Sequence, residues 1–444
     1  MKKFIIFAVA VLTTLTTAAQ KKWTLEDCIS YAMQNNITLQ KARLQQQSAM
    51  EDLKGSRAAL LPSLSAGSNQ SLGYSPWKDA GITTVTNGQV NAKVNKSYYN
   101  GSYSMNAQWT VWNGNRNHNN VKVSALAEQQ AELSTAETAN TIQERIAQLF
   151  VQCLYLDEAI KVSQSSLETS RKNEERGQQM VDVGKMAKAD LAQLTAQRAT
   201  DEYNVVEAQS QLANYKLQLK QQLELTDTDD FDIAIPETTD QQALADIPAL
   251  QAVYEQALLG RPEIENSRLN IESSKLNLAI AKAGWLPTVS LSGGFGTSTN
   301  SLSSNGWGTQ MKTNFDMSGG LSLNIPLFDQ RQTKTAVSKA RIQQQQALLD
   351  MQDKQKQLYQ TIESYWLDAH TNQQKFRAAK VSVDSEQQSY DLLSEQFRLG
   401  LKNIIELMNG KDKLLQAQQN SLQSKYQAIL NRQLLLFYAG AKTE

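Results

Sequence analysis

Proline and glycine are missing from stretches far longer than an ordinary helix, and that absence limits the folds open to this 444-residue chain. Neither residue occurs between Gly114 and Gly177, Gly184 and Pro236, Pro326 and Gly400, or Gly410 and Gly440. The residues between are mostly Gln, Ala, Leu, Glu and Lys, all good helix formers. At 1.5 Å per residue, Asn115 to Arg176 as one helix would reach roughly 90 Å. Globular helices are seldom that long, so the pattern predicts a coiled coil or a helical tube.

Apolar spacing inside these stretches supports side-by-side helices. Leu191, Val205, Leu212 and Leu219 share one seven-residue register, with Leu194, Ala208 and Tyr215 on its companion. Leu415, Leu422, Ile429 and Leu436 repeat the spacing near the end of the chain. A sevenfold repeat keeps an apolar seam against a neighbour and imposes a left-handed supercoil. Arg198 and Asp201 interrupt the first seam, as they would in a helix that also faces water.

Four short segments follow a period of two instead. Tyr103, Met105, Ala107, Trp109 and Val111 alternate with Ser104, Asn106, Gln108 and Thr110. Val289, Leu291 and Phe295 alternate with Thr288, Ser290 and Ser292, and Met317, Leu321, Leu323, Ile325 and Leu327 with Ser318, Ser322 and Asn324. Ser63 to Tyr74 is a weaker copy. The expected strands cover about 63–75, 102–113, 288–300 and 315–327. Apolar residues on one face and small polar ones on the other, over about ten residues, is the outer-membrane barrel pattern. A small soluble sheet would show the same alternation. Tyr74, Trp77, Tyr98, Tyr99, Trp112, Trp285, Trp307 and Phe328 lie near the strand ends, where membrane interfaces favour aromatic rings. Four strands cannot close a barrel, which takes about eight, and an open edge is not tolerated in lipid. The membrane reading therefore requires several copies to share one barrel.

Residues 1–19 read as a secretory signal: Lys2-Lys3, an apolar run from Phe4 to Leu12, and an exit at Ala18-Ala19 that would leave Gln20 first. That run is too short to span a bilayer, and no later run is longer without charge. With 44 basic and 44 acidic residues, the chain carries nothing that suggests nucleic acid. Cys28 and Cys153 could pair in an exported protein or remain two buried thiols. His118 and His370 form no metal-ligand spacing and read as helix-surface residues. No nucleophile–base arrangement and no phosphate-binding loop is present, Gly293-Gly294-Phe295-Gly296 reading as a strand-to-loop feature. No catalytic residue, cofactor or metal is expected.

The chain also repeats itself. Ala32, Arg43, Leu44, Ala58, Leu61 and Pro62 recur as Ala257, Arg268, Leu269, Ala283, Leu286 and Pro287, at an offset of 225. Val183-Gly184 and Asp190-Leu191 recur as Leu399-Gly400 and Glu406-Leu407, at 216. The expected organisation is a first repeat over 20–226, an acidic linker over 227–247 and a second repeat over 248–444. Each repeat runs helix, strand, loop, strand, long helix, turn, helix, with turns at about 177–184 and 400–410. The linker is expected to lie as a belt across the helices.

These features resemble the TolC family of outer-membrane efflux proteins over nearly all of the mature sequence. The matching residues are Trp23-Thr24-Leu25-Glu26-Asp27-Cys28 leading to Ala32 and Asn35-Asn36, and Ala257-Leu258 followed by Arg261-Pro262-Glu263. The leucine–proline junctions into strands and the turns at Gly184 and Gly400 match as well. The resemblance implies a mainly α homotrimer with a membrane β part. Its twelve-stranded barrel would sit in outer-membrane lipid and continue as a long α-helical coiled-coil barrel in the periplasm. It implies a passive duct of a tripartite efflux or type I secretion system, gated at the periplasmic helical tip. The implied partners are a periplasmic adaptor (membrane fusion) protein and an inner-membrane pump, of the resistance-nodulation-division type or, alternatively, an ATP-driven exporter. By position, Glu406 and Asn409 take the places of constriction residues, although Asn409 stands where the best-known member has an acid. Asp190 and Lys402 match a helix latch, and Phe397 matches a tyrosine. Val183, Gly184, Leu399 and Gly400 are the expected adaptor-docking tip. Asp190 and Glu406 also read as ordinary first-turn acids that stabilise a helix N-terminus. A periplasmic coiled-coil protein without a channel is the competing expectation.

Overall fold

The break-free stretches fold as four long helices in the computed structural model, which describes residues 22–76, 96–226, 231–236 and 238–441. The expected signal at 1–19, Trp77 and most of the loop expected between Ser75 and Asn100 lie outside the described residues. The first half holds β1 (Lys22–Trp23), α1 (Leu25–Asn35), α2 (Ile37–Ala58), β2 (Ser63–Tyr74), β3 (Ser97–Trp112), α3 (Arg116–Asp182) and α4 (Lys188–Gln222). Between the halves come β4 (Asp232–Ile233) and α5 (Asp240–Ala243). The second half holds α6 (Leu250–Gly260), α7 (Pro262–Lys282), β5 (Thr288–Asn300), α8 (Trp307–Thr313), β6 (Asp316–Asn324), α9 (Gln332–Arg398) and α10 (Ile404–Tyr438).

The duplication extends to the element boundaries. α3 and α9 have 67 residues each, and α4 and α10 have 35 each. Both later helices begin and end 216 positions after their counterparts (332 against 116, 398 against 182, 404 against 188, 438 against 222).

Packing divides the described chain into two units, one from 22–41, 136–261 and 355–441, the other from 42–135 and 262–354. In the first unit, Cys28, Ala32 and Leu39 pack with Ile146, Leu149, Phe150 and Cys153 of α3, Leu219 of α4 and Tyr426 of α10. Thr24 and Asp27 close a capping box that fixes the start of α1. Cys28 and Cys153 are both buried in this core without a disulfide, and burial pushes the Cys153 thiol up to about 12. β1 and β4 pair in parallel. The described linker residues bind α9 and α10 through polar contacts. Gln373 donates to the carbonyls of Ala243 and Ala245, Lys380 pairs with Asp240 at 2.6 Å, and Lys425 donates to the Thr238 carbonyl at 2.9 Å.

The buried seam of α10 is displaced one residue from the expected register. Leu407, Leu414, Ala428 and Leu435 are buried on one row, with Gly410, Ala417, Ser424 and Tyr438 on its companion. Leu415, Leu422, Ile429 and Leu436 are half-buried beside it. Small residues let the helices approach closely, so bulk alone does not mark the contact line.

The second unit contains a four-stranded antiparallel sheet in the order β2-β3-β5-β6. Its register separates two faces. On one, Leu64, Ala107 and Gly293 share a row, as do Ala66, Met105, Phe295 and Met317, then Trp109, Leu291 and Leu321. On the other, Ser63, Gln108, Ser292 and Gly320 share a row, then Ser65, Asn106, Gly294 and Ser318, then Gly67, Ser104, Gly296 and Asp316. The apolar face is bare: Leu64, Met317 and Leu321 are each at least 70% exposed. β3 starts five residues before the expected 102, because Tyr98 to Gly101 complete the ladder to β2. β6 stops at Asn324 short of the expected 327, since Pro326 has no N–H to donate. Gly293 to Gly296 lie within β5 and not at its exit, and the loop expected after β5 contains α8.

Candidate functional site

The sequence-predicted site residues gather where α3 turns into α4 and α9 into α10, all in the first unit. Both turns end a helix in the same way. Gly184 adopts φ +72° and Gly400 φ +75°, a left-handed conformation that a side chain would strain. Gly184 and Lys185 donate to the carbonyls of Val181 and Met180, and Gly400 and Leu401 to those of Phe397 and Gln396. This double bond pattern satisfies the last carbonyls of each helix. Val183, Leu399, Leu401 and Ile405 are exposed around these turns, leaving an apolar tip.

Glu406 occupies the first turn of α10. Asn403 caps the helix by accepting from the Glu406 N–H at 3.0 Å, and the Glu406 carboxylate accepts from the Asn403 N–H at 3.3 Å. Lys402 donates to the same carboxylate at 2.6 Å. That lysine, with the cap, holds the Glu406 carboxyl below the usual range. Lys402 thus binds its own helix within one chain and not Asp190. Asp190 stands in the first turn of α4, whose N-cap residue Ala187 has no side chain able to close a box. Asn409 is exposed, and Phe397 is buried with Leu194, Tyr390, Ile404, Leu407 and Leu414. That cluster joins both hairpins at the tip.

Each hairpin closes on a glycine–leucine pair. A Cβ at Gly177 of α3 would lie 2.5 Å from the Leu194 side chain of α4, and one at Gly410 of α10 would lie 2.6 Å from Leu393 of α9. The four positions correspond under the 216 offset (393 against 177, 410 against 194). The repeats therefore use the same contact with large and small residues exchanged.

The site also contains a contact that the sequence reading missed. Asp201, expected to face water, is 1% exposed. It accepts from the Lys411 ammonium of α10 and from the Ser170 hydroxyl of α3, so three helices meet at one carboxylate. Lys411 is itself buried. Arg198, the other seam breaker, pairs with Glu174 at 2.8 Å and Glu202 at 2.6 Å. Beside the pair runs a polar groove of about 490 Å³, lined by Tyr155, Gln197, Glu207, Asp412 and Gln416 among others. Burial pushes the Asp412 carboxyl up, and Gln197 donates to it at 3.1 Å. The one signal available in the sequence was an acid on the first apolar seam, since the 216 offset sets Asp201 against Ala417 and not against Lys411.

Among the described residues, no three His, Cys, Asp or Glu side chains are placed to hold a metal ion, and no helix is long and apolar enough to cross a membrane. His118 is exposed, and His370 packs against Trp366 with ring centres 4.3 Å apart and ring planes tilted by 56°.

Known proteins share this architecture. The family described as "Outer membrane efflux protein" matches residues 28–224 and 253–441. The outer membrane protein TolC of Vibrio cholerae is 22% identical over 434 residues, 97% of this chain and 94% of its own. The alkaline protease secretion protein AprF of Pseudomonas aeruginosa is 24% identical over 188 residues, 42% of this chain and 38% of its own. The crystal structure of the Campylobacter jejuni CmeC outer membrane channel superposes with a TM-score of 0.78 at 17% identity, covering 95% of this chain and 86% of that one.

Proposed function

The chain belongs to the outer membrane efflux protein family, and from that premise we propose that three copies build the exit duct of a tripartite efflux or type I secretion system. The observation that carries a barrel shared between copies is the two-faced sheet with two free edges; the number three comes from the family resemblance. One face is apolar and exposed, the other is lined by Ser, Asn, Gln and Gly, and among the described residues no strand pairs with the outer edge of β2 or β6. In lipid those edges must be paired. A copy's β6 against the next copy's β2 satisfies both edges. Three copies of four strands close a twelve-stranded barrel with the polar face inward.

The long hairpins continue the conduit on the periplasmic side. The exposed apolar tip at Val183, Gly184, Leu399 and Gly400 is the surface offered to a periplasmic adaptor, which links the duct to an inner-membrane pump of the resistance-nodulation-division type. Glu406 of three copies places one ring of carboxylates at the constriction; Asn409 adds no charge to it, and Asp190 and Lys402 flank it. Such a ring favours cations over anions. The duct works passively, with energy supplied by the pump.

The test is the mass of the protein extracted by detergent from outer membranes, by light scattering corrected for bound detergent. Three times the mature chain mass supports the shared barrel. A monomer that stays soluble without detergent contradicts it and leaves a periplasmic coiled coil.

A further inference from the structure

The segment between β5 and β6 folds back onto the sheet, and the face it covers is informative. Thr297 and Thr299 stand on the same face of β5 as Leu291 and Phe295, but beyond the last fully apolar row. The Thr297 hydroxyl donates to the Met311 carbonyl of α8 at 2.9 Å. Gln310 of α8 accepts from the Asn300 N–H at 2.8 Å and donates to the Asn300 carbonyl at 3.0 Å, while Asn314 donates to the Ser298 carbonyl at 2.6 Å. Trp307 meets Tyr103 of β3 edge to face, with ring centres 6.2 Å apart. α8 therefore lies against the ends of the inner strands β3 and β5, on the side of the sheet that carries the apolar face but beyond its last apolar row, and leaves the outer edges of β2 and β6 free.

Height along the strands fixes what surrounds this segment. Met317 to Asn324, the end of β6, is seven residue steps, roughly 23 Å of extended chain and about 18 Å of height at a 40° tilt. That accounts for most of the roughly 25 Å apolar band of an outer-membrane barrel, and exposed Ile325 and Leu327 follow it. The polar rows of Ser68, Tyr103 and Thr297 and of Gln70 and Thr299 begin where the band ends. The outward surface there carries exposed Trp307, Leu302, Phe315 and Lys312. Amphipathic rings beside apolar side chains and a cation suit the boundary between acyl chains and charged headgroups.

We infer that α8 and its flanks form an interfacial anchor that rests on the outer-leaflet lipid surface, outside the barrel, and does not close its mouth. The inference rests on the membrane reading of the sheet. It goes beyond that reading by giving this loop a lipid partner.

A nitroxide label tests it in the full protein in vesicles of phosphatidylcholine and phosphatidylglycerol. Gly308→Cys supplies the attachment point, since a Cβ there meets nothing within 4 Å and Trp307 stays in place. The native thiols are buried and stay unlabelled. Leu321→Cys on the apolar face and Leu399→Cys at the tip are the lipid and water references. The expected result is a label at 308 more accessible to oxygen than to a water-soluble nickel chelate, at a depth between the two references. A label at 308 as open to nickel as that at 399, with 321 shielded, overturns the anchor and leaves the duct reading intact. Nickel access at both 308 and 321 overturns both.

Discussion

Replacing Lys411 with Met leaves the Asp201 carboxylate buried with only neutral donors, the Ser170 hydroxyl and the Gln197 amide at 3.5 Å, to meet its charge. Removing one partner of a buried ion pair costs about 3–5 kcal/mol, because the remaining charge has neither water nor counter-ion. Exposed pairs give about 0–1 kcal/mol; Lys172 and Glu168 on α3, 3.4 Å apart with side chains 70% and 58% exposed, are such a pair. The same substitution at the two lysines thus separates burial from charge pairing. The readout is local: hydrogen exchange of α4 and α10 peptides near 201 and 411 in the detergent-solubilised protein. An effect of 3–5 kcal/mol accelerates exchange there roughly 10²- to 4 × 10³-fold, while Lys172→Met changes it less than about tenfold. The double variant Asp201→Leu, Lys411→Met should return close to the parent rate, since two apolar residues can replace a buried pair with little loss. Acceleration by Lys411→Met no larger than by Lys172→Met would refute the reasoning, as would a double variant worse than the single one.

Further predictions concern other parts of the molecule. Gly410→Leu alone overpacks the second hairpin and costs about 1–3 kcal/mol; adding Leu393→Gly recreates the first hairpin's arrangement and restores most of the loss, as thermal denaturation followed by circular dichroism should record. The Cys153 thiol sits near 12 in the folded chain against an ordinary 9.0, so between those values the unfolded chain releases its proton first and stability falls as pH rises. Cys153→Ala should flatten that decline in denaturant titrations between pH 9 and 10; an unchanged slope contradicts the assignment. Leu321→Lys on the apolar face costs roughly 2–4 kcal/mol at mid-bilayer and should lower the amount of protein recovered in outer membranes, whereas Ser322→Lys on the polar face should insert normally.

Much of the fold was legible because it depends on residues that act locally. Long gaps without Gly or Pro marked α3, α4, α9 and α10, and alternation marked the strands. The Leu-Pro junctions and paired glycine turns carried the duplication. The misread features depend on neighbours distant in sequence. Asp201 resembles a solvated seam breaker until α10 brings Lys411 against it. Gly410, Ala417 and Ser424 belong to the seam because they are small, which an apolar-residue count overlooks. Seven residues of α8 are too few for a helical period to emerge, and their position on the apolar side of the sheet follows only from the strand register. Glu406 was legible both as a first-turn acid and as a ring residue. The capping box establishes the first, and the second requires the other copies.

The central claim is that this chain makes a transmembrane conduit, and single-channel recording in planar lipid bilayers addresses it directly. Purified protein should produce discrete conductance steps that favour cations, and Glu406→Gln should shift the reversal potential in a salt gradient towards zero. A folded, membrane-inserted trimer that passes no current, with Glu406 or without it, would contradict the account.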